Sequence, residues 1–279
     1  MKKILVLALI ISCVLFTGSV VLAQDQASDE ATTAVFIKER ETQRIQDLRI
    51  LYRDQVEVYR SSERAFFIAK TNFEQVQTLS ALEEAVKATK TVMFDRSRVM
   101  ITYLELIDAV LVETEGIELS LKDQTHTELT GLINLLKIHQ ENIQVSNDRQ
   151  AMVLLADDFE PIALSYESLV YKTLSLIRIG KIQSVHDKAE IIETDIIVEH
   201  ESQEEVGGVK IARRERAYAE VEKNFSETNQ NLAKLNESFA QARKDGFTRG
   251  FYERVLTQLS PIYAQITRSL DHLEELITL

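Results

Sequence analysis

Apolar residues recur every three or four positions over most of this chain, which is the spacing of one face of an α-helix. The clearest stretch has aromatic residues seven positions apart, and these are Tyr52, Tyr59, Phe66 and Phe73. A second line follows three residues after each of them, at Gln55, Ser62, Ala69 and Val76. Two such lines form the a/d seam of a coiled coil, so the pattern predicts a long first helix over residues 31–77.

Residues that end helices are rare beyond the first 23 positions, and their places predict the remaining elements. Two prolines are present, and the glycines are widely spaced. The joints and periodicity predict five further helices, over residues 81–114, 125–156, 159–203, 210–243 and 248–278. Pro261 falls inside the last of these, where it indicates either a break or a kink.

Local start signals refine these boundaries. Ser80 and Glu83 have the spacing of a capping box, which predicts the start of the second helix. Asp158 before Pro161 predicts the start of the fourth helix, with a carboxylate cap and a proline in the first turn. Residues 146–148, Ser-Asn-Asp, compete for backbone hydrogen bonds and predict a kink or restart in the third helix.

The fold expected is all-α: an elongated antiparallel helical bundle of about six long helices with coiled-coil-like packing. The joints favour two tandem three-helix bundles, residues 31–157 and residues 158–279, after a flexible N-terminus at 24–30. One continuous bundle is the alternative. Strand-like alternation and the Asn-Gly pair typical of hairpin turns are missing from the sequence, which argues against a β fold.

The first 23 residues have the layout of a signal peptide. Lys2 and Lys3 form a basic start, and residues 4–16 are almost wholly apolar. Residues 21–23, Val-Leu-Ala, suit a signal peptidase, which predicts cleavage before Gln24. We therefore expect an exported, extracytoplasmic protein, periplasmic or secreted to the cell surface. An uncleaved membrane anchor is the alternative, because the apolar stretch approaches the ~20 residues that span a bilayer.

Composition excludes several classes of function. Cys13 is the single cysteine and lies in the leader, so the mature chain is expected to lack disulfides, thiol catalysis and cysteine-based zinc sites. The formal net charge is −12, and loss of Lys2 and Lys3 with the leader makes it more negative. Such a surface argues against nucleic acid and against anionic membranes as partners. Membrane attachment is expected only through an uncleaved leader.

Metal and catalytic patterns are also lacking. The five histidines are His126, His139, His186, His200 and His272. None follows a glutamate by three residues, as di-iron bundles require, and His186 with Glu190 would need a further ligand from another helix. No nucleophile–base pair or phosphate-binding glycine loop is recognisable. The histidines are therefore interpreted as structural, and we expect neither a cofactor nor enzymatic activity.

Charges flanking the glycine pair at 207–208 form the first candidate site. The acidic side comprises Glu199, Glu201 and Glu205, and the basic side comprises Lys210, Arg213, Arg214 and Arg216. These charges could bind a partner. The interpretation favoured here is that they set the register of a hairpin, with Lys210 opposite Glu205, Arg214 near Glu201 and Arg216 near Glu199.

Polar residues at seam positions form the second candidate site. Gln55, Ser62 and Arg96 stand where apolar residues are expected. Two roles fit them: fixing helix register at some cost in stability, or lining a small polar pocket for a ligand.

Together these features predict an exported, non-enzymatic helical bundle that acts as a structural or protein-interaction module in the cell envelope. Its expected partner is another envelope or extracellular protein, and a homo-oligomer is also compatible with the sequence. An extracytoplasmic ligand-binding or sensor-type bundle is the main alternative. A pore-forming or adhesin-type helical protein ranks lower, because charges interrupt the most apolar stretch, residues 151–182.

Overall fold

A computed structural model describes residues 28–201 and 208–278, and within them the chain is helical without strands. The predicted signal peptide and its cleavage site lie outside these residues. The all-α fold of six antiparallel helices is confirmed. The helices are α1 Ser28–Val76, α2 Leu79–Glu113, α3 Leu119–Val145, α4 Arg149–Glu201, α5 Gly208–Gln241 and α6 Arg249–Thr278, with a 3₁₀ turn at Lys244–Gly246 before the last.

A two-residue turn joins α1 to α2 and makes them an antiparallel pair. Gln77 takes a left-handed backbone conformation with φ of 49°, and its N–H donates to the carbonyl of Phe73 at 2.9 Å. Thr78 then has extended backbone angles and accepts the N–H of Ala81 at 3.3 Å. The predicted cap at Ser80 is therefore wrong by two residues. The cap needs an extended backbone before the helix, and Ser80 already lies in the first turn.

The break predicted at Asp158–Pro161 is also wrong, because α4 continues through Pro161. The chain instead breaks between Val145 and Arg149, at the segment expected to kink or restart the third helix. There the Asp148 carboxylate accepts the N–H of Ala151 at 2.9 Å and caps α4. This cap starts the helix ten residues before the predicted cap at Asp158, so Pro161 only removes one hydrogen bond inside an otherwise continuous helix. Helix α6 likewise continues through Pro261.

The chain divides into two units. The first unit comprises Ala34–Ile177 and Arg243–Tyr252, and the second unit includes Arg178–Ala242 and Glu253–Leu279. Helix α4 contributes to both units, so the boundary predicted at residues 157–158 lies within a helix.

Apolar seams hold each unit together. In the first unit, Met93, Ile143, Met152 and Leu155 from α2, α3 and α4 form one buried cluster. In the second unit, seven buried residues of α4, α5 and α6 form another, namely Ala189, Ile196, Ala217, Val221, Phe225, Leu273 and Leu276. Burying each large aliphatic or aromatic side chain contributes about 1.5–3 kcal/mol, which makes these seams the main source of stability. In the part of the chain that the structure describes, no helix has a stretch long and apolar enough to cross a membrane.

Candidate functional site

Buried and half-buried polar side chains of α1, α2 and α3 lie in the middle of the first unit. We call this set the polar layer, and it comprises Gln55, Tyr59, Ser62, Arg96, Ser97, Thr102 and His139. The seam around the polar layer is otherwise apolar. A polar group there loses hydrogen bonds to water, and this destabilises the fold unless a protein atom replaces them. The partners therefore decide whether the layer is a ligand site or part of the framework.

Gln55 binds the neighbouring helix. In the orientation that satisfies both ends of its amide, the nitrogen donates to the backbone oxygen of Arg98 at 3.1 Å and to Thr102 Oγ1 at 2.7 Å. The amide oxygen accepts from Arg98 Nε at 3.3 Å. Gln55 is 7% exposed. Its hydrogen-bonding capacity is thus spent on fixing α1 against α2.

Ser62 is satisfied within its own helix. Its hydroxyl donates to the backbone oxygen of Tyr59 at 2.9 Å. The Tyr59 hydroxyl in turn donates to Glu63 Oε1 at 3.1 Å. Burial raises the pKa of Tyr59 above its ordinary value, and the hydrogen bond to Glu63 acts in the same direction. The hydroxyl of this buried serine is therefore already paired within α1.

Arg96 lies over an aromatic ring. Its guanidinium carbon is 3.7 Å from the centre of the Phe159 ring, a cation–π geometry that joins α2 to α4. Its Nε atom is buried and has no hydrogen-bond partner. Burial lowers the pKa of the guanidinium, while the nearby Tyr59 raises it. Its aromatic partner, Phe159, was not among the residues predicted for the polar pocket.

His139 connects three helices, and the sequence did not single it out from the other histidines. Its Nε2 lies 2.9 Å from the carbonyl oxygen of Leu155, so Nε2 carries the hydrogen and donates it to α4. Its Nδ1 lies 3.4 Å from the Ser97 hydroxyl on α2. The only signal in the sequence was its position on the apolar face, three residues after Leu136 and four before Ile143.

Five of the eight tyrosines also meet in the first unit, which the sequence did not predict. They are Tyr52, Tyr103, Tyr166, Tyr171 and Tyr252, from α1, α2, α4 and α6. The ring centres of Tyr52 and Tyr103 are 5.1 Å apart, and those of Tyr171 and Tyr252 are 6.0 Å apart. Burial raises the pKa of Tyr166 far above its ordinary value, and the nearby Tyr103 and Tyr52 add to the shift. Burial likewise raises the pKa of Tyr103, so these two tyrosines of the cluster resist ionisation.

The second unit contains a different histidine arrangement. The side chain of His186 is wholly buried. Its Nε2 lies 2.8 Å from Asn229 Oδ1 and 3.3 Å from Glu190 Oε1, so the ring donates to both acceptors. The Asn229 amide donates to Glu190 at 2.9 Å, and Phe225 meets the ring edge-on. His186 Nδ1 is buried without a hydrogen-bond partner.

The charged residues of the predicted hairpin are only partly within the described chain, because Glu205 lies outside it. Nearby, the Tyr218 hydroxyl and His200 Nδ1 are 2.7 Å apart and connect α5 to α4. Burial raises the pKa of Tyr218, the nearby Arg214 lowers it, and Glu193 and Glu201 raise it. Arg214 and Glu201 thus lie close to the same tyrosine. The register-setting role of Glu199, Glu201, Lys210, Arg213, Arg214 and Arg216 stays a prediction.

Metal-ligating groups are scattered. Among residues 28–201 and 208–278, no group of three or more histidine, cysteine, aspartate or glutamate side chains could hold a metal ion. His126 Nδ1 lies 2.7 Å from the carboxylate of Asp108, which joins α3 to α2. The contacts described for His126, His139 and His186 therefore hold helices together.

Comparison with known proteins does not identify a relative. No family model matches the chain, and neither the curated proteins nor the solved structures show a significant match. The function must therefore be inferred from the described side chains.

Proposed function

We propose that this protein is an exported, non-enzymatic helical bundle that binds an envelope or extracellular protein through the outer surface of α1. The observation that carries the proposal is a line of exposed apolar residues along one flank of that helix. The leader-like first 23 residues support the extracytoplasmic location.

The flank, which we call the outer seam, comprises Leu51, Val58, Ala65 and Ile68. The first three are seven residues apart, and the fourth follows three residues later. Leu51 is 42% exposed, Val58 50% and Ile68 71%. The outer seam is thus a second heptad line, beside the line that α1 buries against its neighbours. No helix in the described part of the chain covers the outer seam.

An amphipathic helix of another protein fits this surface best. The spacing lets apolar side chains of an incoming helix pack between those of the outer seam. Phe67, Thr71, Asn72 and Gln75 lie beside Ile68 and surround a shallow hollow that a larger side chain can enter. Apolar anchors inside a polar rim are typical of sites that contribute most of the binding energy.

The polar layer supports a framework role in place of catalysis. Gln55 and Ser62 direct their hydrogen bonds to protein atoms, and His139 donates to the backbone of Leu155. A ligand would have to displace these contacts, at a cost of about 1–3 kcal/mol for each buried group left unpaired.

Site-specific photo-crosslinking in the native organism tests the proposal. A crosslinking residue at Val58 or Ile68 is expected to capture one protein, whereas the same residue at Arg53, an exposed position on the other flank of α1, is not. Val58→Glu and Ile68→Glu should each weaken binding of the captured protein at least about tenfold, as for a central apolar anchor. Arg53→Gln makes the same change in net charge and should leave binding intact.

Two results would contradict the proposal. One is equal capture at Arg53 and at the outer seam. The other is unchanged binding in both glutamate variants while their thermal unfolding matches the unsubstituted protein. If the captured protein is a second copy of this chain, the outer seam is a homo-oligomer interface, which sedimentation of the purified protein would show independently.

A further inference from the structure

A cavity of 680 Å³ lies between α2 and α3, beside the first residue of α4. Its wall contains Leu82, Val86 and Phe94 from α2 and Ile143 from α3. Val86, Phe94 and Ile143 also belong to the apolar cluster of the first unit. The volume falls in the range of about 300–1,000 Å³ that is typical of small-molecule sites. The cavity is therefore a recess with an apolar wall.

Three cations lie at its rim: Lys87, Lys90 and Arg149. Lys90 Nζ donates to the backbone oxygen of Gln144 at 2.7 Å and to Asn147 Oδ1 at 2.9 Å. An ammonium group has three hydrogens, so one N–H of Lys90 is left for another acceptor. The lysine is thus held at the rim with a donor to spare.

The other two cations are not neutralised by ion pairs in the described part of the chain. Lys87 and Arg149 are exposed at the rim, and no carboxylate within 4.0 Å pairs with either. Arg149 is also the first residue of α4, where the helix dipole adds positive potential. Glu83 and Asp148 share the rim, and the Asp148 carboxylate already accepts the Ala151 N–H. The rim therefore has more cations than anions in a chain whose formal net charge is −12.

We infer that this cavity binds a single-chain amphiphile with a carboxylate head, of the fatty-acid class. The apolar wall takes the alkyl chain, and Lys87, Lys90 and Arg149 hold the carboxylate. The site is separate from the outer seam of α1 and from the polar layer, so the inference does not depend on the proposed function.

Two other classes of ligand, a cationic amphiphile and a small polar anion, fit this cavity less well. A cationic amphiphile would meet three like charges with two carboxylates to offset them. A small polar anion would satisfy the cations and leave the apolar wall in water. An alkyl chain with a carboxylate matches both parts of the site, because removal of apolar surface from water and charge-assisted hydrogen bonds then act together.

Fluorescence titration of the purified protein with a dansyl-labelled undecanoate tests the inference. We expect saturable binding of one probe per chain, displacement by dodecanoate, and no displacement by dodecyltrimethylammonium at the same concentration. The dodecanoate complex should also unfold at a higher temperature, because a ligand that binds the folded state stabilises it.

Two variants locate the binding. Removing the two exposed cations in Lys87→Ala/Arg149→Ala should weaken the probe about tenfold, and Thr91→Phe should weaken it similarly by narrowing the cavity. Thr91 is an exposed residue of the cavity lining, so a larger side chain there need not disturb the core. The matched controls, Arg64→Ala/Lys234→Ala and Thr130→Phe, make the same changes at exposed positions outside the lining and should bind as the unsubstituted protein does.

The inference is overturned if the probe fails to saturate below its micelle concentration, or if dodecyltrimethylammonium displaces it as well as dodecanoate does. It is also overturned if both cavity variants bind normally while circular dichroism shows that they are folded. Equal weakening in the control variants would likewise place the probe elsewhere on the protein.

Discussion

The two units each bury a histidine, but the two rings are used differently. His139 in the first unit donates to the backbone of Leu155 and faces the Ser97 hydroxyl, so both ring nitrogens meet polar atoms on other helices. His186 in the second unit directs Nε2 to Asn229 and Glu190 and leaves Nδ1 unpaired. The first ring fixes the relative positions of three helices. The second ring connects α4 to α5 through Asn229. Its unpaired Nδ1 lowers the stability of the folded state.

Among these substitutions, the largest loss of stability is expected when His139 is replaced, because both of its ring nitrogens face polar atoms. His139→Phe keeps an aromatic ring but leaves the Leu155 carbonyl without its side-chain donor, while the Ser97 hydroxyl keeps the Met93 carbonyl as its acceptor. We expect a loss of about 1–3 kcal/mol in the free energy of unfolding. Urea denaturation measures it. His272→Phe, at a partly exposed histidine of α6, serves as the control and should change stability by less than about 0.5 kcal/mol.

Alkaline pH should destabilise the first unit more than the second, because more of its described tyrosines have a raised pKa. In the first unit, burial raises the pKa of three tyrosines, Tyr59, Tyr103 and Tyr166. In the second unit, burial raises the pKa of one described tyrosine, Tyr218. A tyrosine with a raised pKa in the folded state favours folding until the unfolded chain ionises. The contribution of these tyrosines to stability is therefore fully present below about pH 10 and is lost as the pH rises above it. For the largely buried Tyr166 the fall is at most about 1.4 kcal/mol per pH unit, and for the three more exposed tyrosines it is smaller because solvent screens them.

Thermal unfolding between pH 8 and pH 11 measures this fall. In Tyr166→Phe the fall should be shallower, because one group that ionises more readily in the unfolded chain is gone. Hydrogen exchange should show that the first unit loses more protection than the second. A fall that is equally steep in Tyr166→Phe would show that this tyrosine does not contribute.

A smaller effect is expected at Arg96. Its contact with Phe159 joins α2 to α4, but the buried guanidinium also loses hydration. A double-mutant cycle of Arg96→Met and Phe159→Leu should give a coupling of about 0.5–2 kcal/mol. A coupling of zero would mean that the cation–π geometry does not stabilise the unit.

The smallest effect is expected at His186. His186→Phe removes the donor to Asn229, yet the Asn229 amide keeps Glu190 as an acceptor, and the unpaired Nδ1 disappears. The change in unfolding free energy should be below about 1 kcal/mol in either direction. A loss as large as that of His139→Phe would end the distinction between the two rings.

Sequence periodicity was enough for the fold class because long heptad lines specify helices and their buried faces. Helix ends were harder. Thr78 caps α2 because Gln77 turns the chain into position first, and such a left-handed residue has no signal beyond its own identity. Pro161 does not break α4, because the helix starts at the Asp148 cap and continues on both sides of the proline.

Polar seam residues could be found from the sequence, but their partners could not. Gln55 and Ser62 stood out at apolar positions and are buried, as a register-fixing role requires. The contact between Arg96 and Phe159 joins residues far apart in sequence, and no local pattern encodes it. The cavity near Lys90 is formed where α2, α3 and the start of α4 meet, so it becomes visible only after the helices are packed.

The hydrogen bond between His139 and Leu155 is the most direct test of the framework role given to the polar layer. Nuclear magnetic resonance of protein labelled at the histidine nitrogens and backbone carbonyls can detect the coupling transmitted through that bond. We expect a hydrogen on Nε2, slow exchange of that hydrogen with water, and a coupling to the Leu155 carbonyl. A hydrogen on Nδ1 instead, or rapid exchange without any coupling, would contradict the framework role.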